Sequence, residues 1–213
     1  GVGMNALLSR SLGEHKFKEA NKIGVNAAFL YFLSYLVFLI LGFTVVKPFY
    51  ASQIKGADAE IMEMGIEYLR TVMIFSFGLL AQIYFERLLT STGKTLFSMT
   101  SQLCGALTNI ILDPIMIFGL LGCPAMGVTG AAVATVIGQC VAAVVAFTCN
   151  HKFNTEIKIH FQGFRPDIKI IGTIYAIGVP SIIMQSIGSV MTYSMNRILI
   201  AFSSTATAVF GVY

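Results

Sequence analysis

Two of the ten acidic residues lie inside apolar blocks of the sequence, Glu86 and Asp113, whereas Glu14, Glu19, Asp58, Glu60, Glu63, Glu67, Glu156 and Asp167 fall in or beside polar stretches. A carboxylate at the centre of a bilayer costs at least about 2.5 kcal/mol unless it is protonated, paired or wetted, so each is expected to face a bundle interior or a cavity. At about 100° per residue, Gln102, Ala106, Asn109 and Asp113 project within about 60° of one another on a helix. Pro114 follows and has no N–H for the carbonyl of Ile110, which predicts a bend and an exposed oxygen. A carboxylate, an amide and a freed carbonyl within one turn make a candidate site for a proton or for Na+ at Asp113 and Asn109. The plainer alternative is a carboxylate hydrogen-bonded to a neighbouring helix.

Further along, Ala131, Thr135, Gly138, Gln139 and Ala142 share a helical face, and small residues there let two helices approach closely enough for Thr135 and Gln139 to reach across. A membrane threonine also commonly bonds its own preceding turn, so Thr135 is a candidate ligand with a structural alternative. Glu86 adjoins Arg87 near a helix end. The simpler reading has both snorkel to the headgroups; in the other, Glu86 turns inward with Gln82 and Thr71 and lines the same cavity as Gln102 and Gln139. A later stripe, Ser181, Gln185, Gly188, Thr192 and Asn196, presents an uncharged polar face with Pro180 at its foot. Met184 beside it reads either as packing or as a pliable wall for varied ligands.

The elements that carry these residues must be membrane helices. With 56% hydrophobic and 11% charged residues, against a soluble norm of about 25% charged, the chain cannot build a water-facing exterior. Its apolar residues come in blocks rather than in amphipathic alternation. Blocks of sufficient length predict helices over 23–46, 66–90, 96–121, 130–149 and 174–200. Residues 1–9 read as the end of an earlier helix and 203–213 as the start of a later one. Alternate loops collect ten of the 14 Lys and Arg residues on one side, which the positive-inside rule makes cytoplasmic. The net charge of +4 therefore reads as topology, and with no basic face no nucleic-acid partner is expected. Four cysteines without a CxxC pair and three histidines in polar stretches argue against a metal centre. The stretch 151–171, containing IKIHF and RPDIKII, reads as a cytoplasmic linker, either an interfacial helix or an extended loop. The chain begins without Met and ends within AVFGVY, so a fragment of a longer protein is expected.

At ERLLTSTGKT, NIILDPIMIFG, GVTGAAVATVIGQ and GVPSIIMQS the sequence resembles the multidrug and toxic compound extrusion transporters, and its opening, GVGMNALLSRSLGEHKFKEAN, is similar to the end of that family's second helix and its cytoplasmic loop. The likeness runs along essentially the whole chain and is closest in look to the family's Gram-positive drug exporters. It implies an all-α polytopic membrane protein, part of a twelve-helix transporter of two six-helix bundles. Residues 1–150 would then belong to the amino-terminal bundle, 151–171 to the linker and 172–213 to the start of the second bundle. The implied activity is export of cationic or amphipathic drugs across a bacterial plasma membrane by antiport with Na+ or H+, without a cofactor and as a monomer. The fifth-helix Asn and Asp of relatives match Asn109 and Asp113, and a sixth-helix Thr matches Thr135. The first-helix acid that completes that site would lie before Gly1, and the seventh-helix acid of another branch has no counterpart near Gly188. A flippase of lipid-linked sugars would want a cationic cavity, which these blocks lack. An intramembrane enzyme would need a nucleophile and base at consistent spacing, which is also missing.

Overall fold

The computed structural model describes residues 1–53, 59–122, 124–157 and 166–202. Among these every regular element is helical: α1 (Val2–Gly13), α2 (Phe17–Thr44), α3 (Val46–Gln53), α4 (Ala59–Ile74), α5 (Phe77–Ser91), α6 (Thr95–Phe118), α7 (Gly127–Phe153) and α8 (Ile168–Phe202), with a 3-10 turn at Leu120–Gly122. Four of them, Phe17–Thr44, Thr95–Phe118, Gly127–Phe153 and Ile168–Leu199, are each long and apolar enough to cross a bilayer. Met62–Ile74 and Phe77–Ser91, bent by 47° at a short break, are together long and apolar enough to make a fifth. The five predicted blocks are thus present, and the chain is an all-α polytopic membrane protein.

Three local expectations change. The block predicted over 66–90 is broken, because around Ser76 and Gly78 the i→i−4 ladder gives way to long i→i−3 bonds, Ser76 N to Met73 O and Gly78 N to Phe75 O, both 3.4 Å. A Ser/Gly pair is a recognised site of such a kink. The last block begins earlier than predicted, at Ile168, so Pro180 lies inside α8 and not at its foot. The block predicted over 96–121 contains Pro114 as expected but ends earlier, at Phe118, where Gly119, with a left-handed φ of 71°, bonds the Ile115 carbonyl through its N–H.

Packing centres on α1, whose Met4 and Leu8 are buried with Ala20, Ile23 and Ala27 of α2, Tyr84 and Leu88 of α5, and Ile174 of α8. Ile157, four residues past the end of α7, joins the same cluster. Asp167 N donates to Asn26 Oδ1 at 2.9 Å, so both described ends of the predicted linker dock onto the bundle. Residues 158–165 and 203–213, including the predicted start of a later helix, lie outside the described residues. At one end of the bundle the turn between α5 and α6 meets the end of α7: Lys94 Nζ donates to the Phe153 carbonyl, and Phe97 stacks on Phe153 at 4.4 Å. Beyond this core, α6 exposes Leu96, Met99, Leu103, Leu107 and Ile110 in a continuous stripe. Only lipid or another membrane helix covers such a face at low cost.

Candidate functional site: a polar cleft along α5, α6 and α7

Glycines on both sides of the α6–α7 contact set how closely the two helices approach. A Cβ added to Gly105 would lie 2.9 Å from the Gly138 carbonyl oxygen, and one added to Gly138 would lie 2.9 Å from the Gly105 carbonyl oxygen. Nearer the opposite end of the pair, a Cβ at Gly130 would lie 2.5 Å from the Met116 carbonyl. The backbones can therefore touch only because these side chains are absent. The same packed face of α6 buries Ser98 and Ser101, and the polar seam of Gln102, Ala106, Asn109 and Asp113 runs along its edge.

That edge opens on a cleft of about 280 Å³ lined by Gln82, Gln102, Asn109, Thr135 and Gln139 with small and apolar neighbours. At one end Asn109 joins the two helices. Its Nδ2 donates to Asp113 Oδ1 at 3.2 Å and to Thr135 Oγ1 at 3.4 Å. Thr135 donates in turn to the Ala131 carbonyl at 2.9 Å, so it bonds its own preceding turn and faces the acid's amide partner at once. Asp113 and Asn109 are half-buried. A carboxylate and a hydroxyl oxygen, joined by an amide that a half-turn would present through its oxygen, are a donor set suited to a hard cation or a proton. Gln139 Oε1, on the α7 side, is buried with no hydrogen-bond partner.

Behind the Gln82 and Gln102 that line the cleft, Glu86 overturns the simpler expectation that it snorkels beside Arg87. It is 8% exposed and points into the bundle. Gln82 Nε2 donates to its Oε1 at 2.8 Å and Gln102 Nε2 to its Oε2 at 3.0 Å, while Ser101 Oγ, which donates to the Ser98 carbonyl at 2.7 Å, lies 3.4 Å from Oε1. The inward reading named Gln82 correctly. It named Thr71 as well, but the 47° bend interrupts the helical phase between them. Ser101 was missed: fully buried, it carries no periodic signal of its own and is marked only by standing next to Gln102.

The remaining candidates, Ser181, Gln185 and Met184, are not brought to this cleft. They lie on α8, which packs against α1 and α2. Ser181 is half-buried and Gln185 exposed, and Met184 is 75% exposed.

The comparisons with known proteins follow this geometry. The Multidrug export protein MepA of Staphylococcus haemolyticus (strain JCSC1435) is 26% identical over 214 residues, covering 100% of this chain and 46% of the relative. MepA of Staphylococcus aureus (strain MSSA476) matches with the same identity and coverage. The chain therefore spans about half the length of the curated relatives it matches. Among solved structures, a multidrug resistance MATE family transporter of the MOP superfamily in its outward-facing conformation superposes with a TM-score of 0.85 at 27% identity over 99% of this chain and 46% of that one. An inward-facing conformation gives 0.76 at 27% identity over 85% and 40%. The MatE family model matches residues 1–115, more than half of the 213, and the chain belongs to the MatE family.

Proposed function

We propose that the full-length protein is a secondary active multidrug exporter of a bacterial plasma membrane, in which a cation bound at Asp113, Asn109 and Thr135 is exchanged for a cationic or amphipathic drug. The observation that carries this is the Asn109 bridge: one amide ties an intramembrane carboxylate on α6 to a hydroxyl on α7 at the rim of an open cleft. The relatives named as multidrug export proteins support the substrate class. Either Na+ or H+ suits this donor set.

The coupling follows from charge. With the site empty, Asp113 presents an unneutralised carboxylate that favours a positively charged drug in the adjoining cavity and a conformation that keeps the carboxylate wet. With the cation bound, the carboxylate is neutralised and drug affinity falls. Only such a difference in affinity between the two facing states lets an ion gradient drive the drug. The two bundles would be residues 1–150 and a second beginning at 172, with the drug cavity between them. The protein works as a monomer, needs no cofactor, and leaves its substrates chemically unchanged.

Replacing Asp113 by Asn tests this in cells expressing the full-length protein. Resistance to a cationic probe such as ethidium should fall to the level of cells without the transporter, while the amount of protein in the membrane is kept. Full resistance with Asp113→Asn would exclude the site.

A further inference from the structure

Glu86 is a nearly fully buried carboxylate for which neither the drug cavity nor the Asp113 site has a use. Among the described residues the ion pairs are those of Glu14 with Arg10 and Lys16, so Glu86 has no cationic partner. Arg87, its chain neighbour, leaves its own Nε buried without a hydrogen bond. A clasp between α5 and α6 needs no charge, since a glutamine would join the same donors, whereas a carboxylate at membrane depth carries an added cost.

We propose that Glu86, with Gln82, Gln102, Ser101 and Gln139, forms a second sodium-ion station against the wall of the same cleft, separate from the one at Asp113. The two stations are joined along α6: Gln102 belongs to the first and Asp113 to the second, about 16 Å apart at about 1.5 Å per residue. In the structure the amides of Gln82 and Gln102 donate to the carboxylate and fix its orientation. Rotating either amide by half a turn replaces a donor N–H with an acceptor oxygen aimed at the same place. Gln139 Oε1 is already a buried acceptor with nothing to accept from, on the cleft that Gln82 and Gln102 also line. One negative oxygen pair and several neutral amide and hydroxyl oxygens match a hard monovalent cation, whereas a lone proton needs only a single oxygen and no amide set. The station gives an ion leaving Asp113 a second stopping place along the polar cleft. It rests on the transport reading above only for that purpose, not for its existence.

Equilibrium binding of radioactive sodium to the purified full-length protein tests it. Glu86→Gln should lower the sodium bound by one ion per protein in the wild-type background and again by one in an Asp113→Asn background. Unchanged sodium binding in the Asp113→Asn background would overturn the station. If Asp113→Asn leaves binding and transport intact while Glu86→Gln still removes one ion, the transport reading fails and the station stands. A measurement on the unmutated protein guards against a misfolded variant. Dicyclohexylcarbodiimide should modify Glu86, as mapped by peptide mass, and sodium should slow that modification relative to choline at the same pH. Modification indifferent to sodium, or its absence, would overturn the station.

Discussion

Asn109 holds the candidate coupling site together, and Thr135 is its weakest member, because the hydroxyl also bonds the Ala131 carbonyl. Thr135→Val keeps the shape and removes the oxygen. It should raise the cation concentration needed for half-maximal drug export about tenfold, the typical effect of losing a group that orients a ligand. Thr135→Ser should stay close to the wild-type value. An unaltered cation dependence in the valine variant, measured in vesicles, would reduce Thr135 to a helix-backing hydroxyl. Asn109 and Asp113 were legible in the sequence because four residues separate them on a helix. Gln82 was legible four residues before Glu86, and Gln102 two turns before Asn109 on the same helical face. The inward turn of Glu86 was not, since which way a residue near a helix end points depends on partners from another helix, here Gln102 and Ser101.

For the helices, the close contact of α6 and α7 is the feature on which the site depends. Gly105→Ala places a Cβ 2.8 Å from the Ala142 Cβ and 2.9 Å from the Gly138 carbonyl. The helices must then move apart, at a cost of about 1–3 kcal/mol typical of overpacking, and the Asn109–Thr135 bond lengthens with them. A thermal melt of the full-length protein in detergent should register the loss. Gly172→Ala on α8 is the control: nothing lies within 4 Å of its added Cβ, and alanine is the better helix former, so its melting temperature should not fall. The turn between α1 and α2 carries a pH dependence. Lys16 and then Arg10 hydrogen-bond the exposed Glu14 carboxylate and hold its pKa below the ordinary carboxylate range. That stabilising contribution is complete above the ordinary carboxylate pKa and is lost as pH falls through the lowered one. The protection of the His15 and Lys16 amides, taken relative to their intrinsic exchange rate at each pH, should therefore fall on acidification in the wild type and be flat over that range in Glu14→Gln. The turn was visible as a polar gap between blocks; the left-handed His15, φ 57°, was not. Likewise the kink at Ser76 follows from a slipped hydrogen-bond ladder that hydropathy does not sense.

Across the whole molecule, the five spans were legible because lipid demands long apolar runs with every backbone group bonded internally. How the spans pack was not, because inside a bilayer apolarity no longer distinguishes the face that meets lipid from the face that meets protein. Small residues make that distinction instead. The polar stripe of α8 lies apart from the cleft of α5, α6 and α7, on a helix that packs against α1 and α2. The proposal that an ion gradient at Asp113 drives drug export is tested most directly in vesicles reconstituted with the full-length protein, loaded with a cationic probe and exposed to separate sodium and pH gradients. An inward gradient of one of these ions should drive probe export by the wild type and fail to drive it in Asp113→Asn. Equal gradient-driven export by the two proteins, or wild-type export indifferent to both gradients, would contradict it.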